Sequence, residues 1–287
     1  MIAKERSTIS PLPSPLAGVW RAVVMGKGGA GKTTLAALLS LRTAQGGEEV
    51  LVIDADSQAT LAYCLGVPTQ SARSIVPLSR DIHYLNEKIG VRNTATDKAT
   101  SDIEPNVDDV FERFAIKVRD RLHLLVTGHA DPPVSGCLCP EHALITGIFR
   151  YLIRRNREVI ILDSGDGIPP PEGEISAGFM YALIVAEPTF GSLRIAELAT
   201  ALSLDLGIPH LYLVVNKIRT ERDVSRVKEF ATGLACYEQV FSLPYDEKVR
   251  QADPDVSGLL GKKTPFMGEI DKIYRTLKGY SPVMLSM

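Results

Sequence analysis

The chain has 287 residues, 45% of them hydrophobic, enough to bury the core of one large α/β domain or two small ones. Lysine and arginine total 32 against 34 aspartates and glutamates, a net charge of -2. Such a chain lacks the strong positive field of a protein that holds nucleic acid or an anionic membrane by overall charge. No apolar run is long enough to span a bilayer, and the first residues lack the apolar segment of a signal peptide, which predicts a cytoplasmic protein.

Residues 1–18 carry Pro11, Pro13 and Pro15, which disfavour helix and central strand alike. They read as a loose N-terminal extension, and residues 19–287 as one domain. From Trp20 onward, short Val-, Ile- and Leu-rich runs alternate with helical patterns. Trp20–Met25 reads as a strand, Lys32–Ala44 as a helix and Val50–Asp54 as the next strand. Residues 68–106 mix Pro, Ser, Thr, Asn and charge, and read as an insertion with small elements. A helix is predicted over Val107–Val118, a strand over Leu122–Val126, a helix over Glu141–Asn156 and a strand over Glu158–Asp163. Strands at Leu183–Glu187, Leu211–Asn216 and Val240–Leu243 flank helices at Ser192–Leu206 and Arg222–Leu234. A helix near Met267–Lys278 ends the pattern. The strands mostly lack strict alternation, as strands covered on both faces should. The order predicts an α/β fold: a single P-loop NTPase domain whose mostly parallel sheet has helices on both faces, with functional loops at the carboxyl ends of the strands.

Gly26-Lys27-Gly28-Gly29-Ala30-Gly31-Lys32-Thr33 matches G-x-x-x-x-G-K-[ST] between a strand and a helix, the context the motif requires. The glycines let successive backbone N–H groups turn toward phosphate oxygens, and the helix N-terminus adds partial positive charge. Lys32 is expected to bridge the β- and γ-phosphates of ATP, Thr33 to ligate Mg²⁺ and Thr34 to bond the α-phosphate. A second apolar strand ends in Asp163, a carboxylate placed to hold the same Mg²⁺. Ser164-Gly165-Asp166-Gly167 follows it, with glycines that permit backbone movement.

Cys137 and Cys139 lie in a loop just before a helix. Two thiols at i and i+2 can share a metal but fill only half of a soft-metal site. A twofold dimer would supply four sulfurs, the number Zn²⁺ prefers, and Ni²⁺ also fits. The helix N-terminus favours thiolate. By itself a C-x-C is a weak signal, and two ordinary buried cysteines are the other reading. Cys64, Cys236 and His129 read as structural, and His142 as a helix-surface residue.

The loop KGGAGKTT resembles the deviant Walker A loop of the MinD/ParA, nitrogenase-iron-protein and arsenite-pump ATPases. The resemblance implies that Lys27 crosses a homodimer interface to the partner's phosphates, where a cation supplied in trans ties hydrolysis to dimerisation. It implies that Asp56 of Asp54-Ala55-Asp56 orients the attacking water or accepts its proton while Asp54 supports the site. It also implies that Asn216 reads the adenine edge, with Leu243-Pro244-Tyr245-Asp246 on the other side of the base. The guanine signature N-K-x-D is incomplete, because Arg219 stands where its Asp would be.

Further landmarks are Pro105–Asp109, Leu124–Gly128, Ser135–His142 with its C-x-C-P-E, Leu183–Pro188, Ser192-Leu193, Asp205–Ile208 and Val215–Lys217. Together they resemble the CooC-type ATPases that mature nickel carbon monoxide dehydrogenase, over about Val23 to Asp246. This implies nickel on the pooled Cys137 and Cys139 of two subunits, delivered under ATP control to a client nickel enzyme such as carbon monoxide dehydrogenase, with neither nucleic acid nor membrane as partner. The segment after Asp163, Ser-Gly-Asp-Gly-Ile-Pro-Pro-Pro171, departs from that family's Glu-Ala-Gly-Ile-Glu-His. A MinD/ParA-type positioning or partitioning ATPase is the alternative, and it would need a basic patch or a C-terminal amphipathic membrane helix.

Overall fold

The computed structural model describes residues 18–56, 58–89, 105–128, 140–165 and 178–279, with 140–142 described by backbone alone. The strands are β1 (Arg21–Gly26), β2 (Val50–Asp54), β3 (Ile116–Arg119), β4 (Leu122–Val126), β5 (Val159–Asp163), β6 (Tyr181–Ala186), β7 (His210–Ile218) and β8 (Gln239–Pro244). They form one sheet in the order β3-β4-β2-β5-β1-β6-β7-β8. Every pairing is parallel except β3 with β4. Parallel neighbours need crossovers, which the helices supply on both faces.

The large helices are α1 (Lys32–Gln45), α6 (Pro140–Arg155), α7 (Phe190–Asp205), α8 (Glu221–Leu234) and α10 (Pro265–Gly279). Short ones are α2 (Leu61–Cys64), α3 (Thr69–Arg73), α4 (Ile82–Ile89), α5 (Val110–Phe114) and α9 (Glu247–Ala252). Alternate residues of β1 enter opposite cores: Ala22 and Val24 pack with α1 and α10, while Val23 and Met25 pack with α6 and α7. The side-chain period of two makes one strand serve both layers. α1 is buried almost all round, with Leu35, Ala36, Leu38, Leu39 and Leu41 at most 1% exposed, as a helix wedged between sheet and outer helix must be. α10 spends Phe266, Ile270, Ile273 and Leu277 in that same layer.

Where the sequence predicts one helix over Val107–Val118, the structure has the short α5 and then the edge strand β3. Ile116 and Val118 turn toward the core while Lys117 and Arg119 are exposed. That period-two pattern pairs antiparallel with β4 through a turn in which Arg121 takes φ 59°. The turn has no glycine to announce it, and pairing with β4 outweighs the helical spacing of Val107, Val110, Phe111 and Phe114. The 68–106 insertion holds α3, a 3-10 turn at Leu78–Arg80 and α4 among its described residues.

Candidate nucleotide site

β1 lies between β5 and β6, where the strand order reverses about the first strand. A crevice opens at the carboxyl ends of the strands at such a point. The 26–34 loop crosses this end. Gly26 has φ 139°, and a Cβ there would lie 2.0 Å from the Val185 carbonyl oxygen. Gly31, the N-cap of α1, has φ 101°, and a Cβ there would lie 2.3 Å from Asn216 Nδ2. Both positions therefore require glycine on two counts, backbone sign and space. Inside the loop the Ala30 N–H donates to the Lys27 carbonyl at 3.2 Å, and Lys32 Nζ donates to the same carbonyl at 3.3 Å.

The loop borders a cavity of about 830 Å³. Gly28, Gly29, Gly31, Lys32, Thr33 and Thr34 line it from the loop, Asp56 from the segment after β2, Asn216 and Arg219 from the end of β7 and beyond, and Tyr245 and Asp246 from the segment after β8. Pro244 is not among the lining residues; it closes β8 one residue before Tyr245. Gly26 and Ala30 are buried behind the loop's surface. Lys27 is exposed and also leaves the cavity, since a Cβ built at Gly191 on α7 would lie 3.8 Å from its Nζ.

Asp54 and Asp163 are register partners on neighbouring strands, and both are fully buried. Asp54 accepts from the N–H of Asp56 at 2.9 Å and of Leu61 at 3.0 Å, so it shapes the loop that carries Asp56. Asp56 in turn accepts from the Gln58 N–H at 2.9 Å. Neither Asp163 oxygen receives a hydrogen bond of normal geometry, although the Thr33 hydroxyl and the Gly165 N–H lie close enough to lower its pKa. Burial, then the neighbouring carboxylate, raises the Asp54 pKa. Burial raises that of Asp163 against the opposing pull of Thr33 and Lys32. A buried carboxylate this poorly supplied with donors is costly unless a cation completes it. The hard-oxygen pair of Asp163 and Thr33 therefore fits Mg²⁺. Ser164 donates to the Val24 carbonyl at 2.9 Å and fixes the chain beyond Asp163; Asp166 and Gly167 lie outside the described residues.

Asn216 and Lys217 grip the loop from β7. Asn216 Nδ2 donates to the Ala30 carbonyl at 2.8 Å and Lys217 Nζ to the Gly29 carbonyl at 2.9 Å. Lys217 also pairs with Glu187 at the end of β6. The sequence reading of Asn216 and Lys217 as the N-K pair omits this clamp and gives Lys217 no role of its own; in the structure Lys217 has φ 62°, an unusual backbone for a lysine. At the cavity's far lip the Arg219 guanidinium lies 3.7 Å over the Tyr245 ring centroid, a flat cationic surface.

Cys137, Cys139 and His129 lie outside the described residues, as does the side chain of His142. Among the described residues no three His, Cys, Asp or Glu side chains are grouped to hold a metal. Cys64 lines the cavity, but burial and then nearby carboxylates push its thiol up to about 12. It stays protonated, as a structural cysteine does.

A glycine loop between the central strand and its helix, backed by paired strand-end carboxylates, defines a P-loop nucleotide-binding domain. Residues 21–255 match the CobQ/CobB/MinD/ParA nucleotide binding domain, and the chain belongs to that family. It is 31% identical over 231 residues to the carbon monoxide dehydrogenase accessory protein CooC of Rhodospirillum rubrum, covering 80% of this chain and 85% of that one. It is 34% identical over 255 residues to an uncharacterized ATP-binding protein of Methanocaldococcus jannaschii, covering 88% and 95% respectively. The MinD cell division protein of Aquifex aeolicus superposes with a TM-score of 0.63 at 23% identity, covering 92% of this chain and 98% of that one, a likeness of fold. The chain is thus a CooC-type member of the MinD/ParA-like P-loop ATPases.

Proposed function

We propose that this ATPase is a metallochaperone. Two copies pool Cys137 and Cys139 to carry Ni²⁺ (or Zn²⁺), and ATP binding and hydrolysis control its release in the cytoplasm to a nickel enzyme such as carbon monoxide dehydrogenase. The observation that carries this reading is the match to CooC across 80% of the chain, coinciding with the sequence Cys137-Leu-Cys139-Pro-Glu141. Gly26–Thr34 bind the triphosphate, with Lys32 on its β- and γ-phosphates. Thr33 and Asp163 hold Mg²⁺, which when bound offsets charge on the transferred phosphoryl group. Asp56 orients the attacking water, and Lys27 of each copy reaches the other's phosphates. Asn216 keeps the loop in shape and lies where it can meet the base edge. The base stacks on the Arg219 face, beside the Leu243–Asp246 segment that carries Pro244 and Tyr245.

A positioning ATPase would need an apolar helix face free for a membrane, or a basic patch. Among the described residues no helix is long and apolar enough to cross a membrane, and the apolar side of α10 packs on the core.

Equilibrium dialysis followed by elemental analysis tests the proposal. The wild type should take up about one Ni²⁺ or Zn²⁺ per dimer at micromolar metal. The Cys137→Ser/Cys139→Ser double variant should take up none while retaining ATP binding. Uptake that survives in the double variant would remove the cysteine pair from the function.

A further inference from the structure

We infer that Phe190, at the first turn of α7, is the apolar anchor of the face on which a second copy of this chain docks, with Lys27 as the charged contact beside it. This rests on the dimer reading above and adds the surface that such a dimer uses.

Phe190 is 79% exposed, the most exposed large hydrophobic side chain among the described residues. An aromatic ring left in water at the edge of a functional loop marks a contact surface more often than an isolated aliphatic does. Its neighbour Gly191 is the residue over which Lys27 Nζ lies, so ring and cation share one face beside the phosphate loop.

The position of Lys27 is electrostatically poor. A helix N-terminus carries partial positive charge and favours anions. The first turn of α7 contains no acidic residue. Glu187, the nearest carboxylate in sequence, is engaged by Lys217 instead. Thr189 and Ser192 already cap this end: the Thr189 side chain accepts from the Ser192 N–H, and Ser192 Oγ accepts from the Glu187 N–H. Nothing described here holds the ammonium where it rests, and it is available to an anion brought from outside. The chemistry that suits the face is therefore a surface presenting both an anion and apolar area. A second nucleotide-loaded copy presents both, with its phosphates at the equivalent loop and its own Phe190 beside the Lys27 of that loop. A self-complementary patch of this kind is what twofold association requires.

Contact there would also reach the nucleotide. Glu187 joins the start of α7 to Lys217, and Lys217 holds the Gly29 carbonyl of the loop. Pressure on Phe190 is thereby linked through one ion pair to the phosphate cradle.

The test is sedimentation velocity of the full chain with Mg²⁺ and a non-hydrolysable ATP analogue, comparing wild type, Phe190→Ser and Leu198→Ser. Leu198 is 63% exposed farther along the same helix and serves as the control. Phe190→Ser should raise the dimer dissociation constant about 10-fold or more, with the analogue affinity of the monomer, measured at dilute protein, unchanged and Leu198→Ser like wild type. A Phe190→Ser protein that dimerises as well as wild type, or a Leu198→Ser protein equally weakened, overturns the assignment while leaving the dimer itself intact. A wild type that stays monomeric under saturating analogue removes the dimer reading on which the inference stands.

Discussion

The two ends of the central strands each bury charge, and they treat it differently. At the amino end, Arg21 is 1% exposed and donates to the Ile153 carbonyl at 3.0 Å, the Gly178 carbonyl at 3.1 Å and Asn156 Oδ1 at 2.7 Å. Burial lowers its pKa to about 10, so it remains a cation at neutral pH. It ties the last turn of α6 to the start of β1 and to the approach to β6. At the carboxyl end, Asp163 is as deeply buried, yet no hydrogen bond of normal geometry reaches it and only the Thr33 hydroxyl and the Gly165 N–H stand close by. One charge has been given acceptors by its own fold; the other has been left for something the fold does not contain. A buried charge with partners therefore reads as architecture, and one without them as a site.

Substituting both charges should give opposite results. Asp163→Asn is expected to lower ATPase turnover at least about 100-fold, as losses of metal-supporting groups do. The apo protein should unfold at the same temperature or higher, since an unpaired buried charge has gone. Arg21→Met should leave turnover at 20 °C near wild type. It strips donors from three buried acceptors and should cost about 3 kcal/mol in urea unfolding. An Arg21→Met protein with full stability, or an Asp163→Asn protein with full turnover, would break the distinction.

A smaller effect follows from the carboxylates' protons. Burial first, and then the partner carboxylate, raises Asp54 from 3.8 to about 7. Burial raises Asp163 from 3.8 to about 6. Between those limits the folded, metal-free protein keeps protons that the unfolded chain has lost. The unfolded state binds fewer, so this contribution weakens the fold as pH rises from about 4 to about 7, and it is absent below 3.8. Asp109 and Glu247, both lowered to about 2, act the other way, but mainly below pH 4.5, where they steepen the loss of stability in acid. The measurement is therefore a difference. Across pH 4–7 in chelator, wild type should lose about 2 kcal/mol relative to Asp54→Asn, whatever the constant offset between them. Parallel curves would mean that the pair is charged and solvated.

The phosphate end of the site was legible because local rules dictate it. A glycine loop between an apolar strand and a helix has few conformations, and the strand-end position of Asp54 and Asp163 follows from parallel pairing. The Asn216–Lys217 clamp was not legible, because its partners are backbone carbonyls 186 and 188 residues away, and a carbonyl leaves no mark in a sequence. The same holds for β3, whose identity depends on β4 rather than on its own spacing. Arg219 was visible only as a missing aspartate. Its use appears once β8 brings Tyr245 under it.

That last pair extends the comparison to the two ends of the cavity, and it should show the smallest effect. The phosphate end is held by converging backbone, whereas the base end offers a guanidinium stacked on a ring. Base stacking on such a face is worth about 1–3 kcal/mol, so Arg219→Ala should weaken ATP about 10-fold in isothermal titration. Tripolyphosphate, which lacks a base, should bind both proteins equally. Tyr245→Phe should behave as wild type, because the hydroxyl is occupied with Glu247 at 2.6 Å and the ring face is what supports Arg219. The sign carries the information. If the base instead displaces Arg219 to lie on Tyr245, removing the arginine would tighten ATP, and the guanidinium would be an obstacle that the nucleotide has to move.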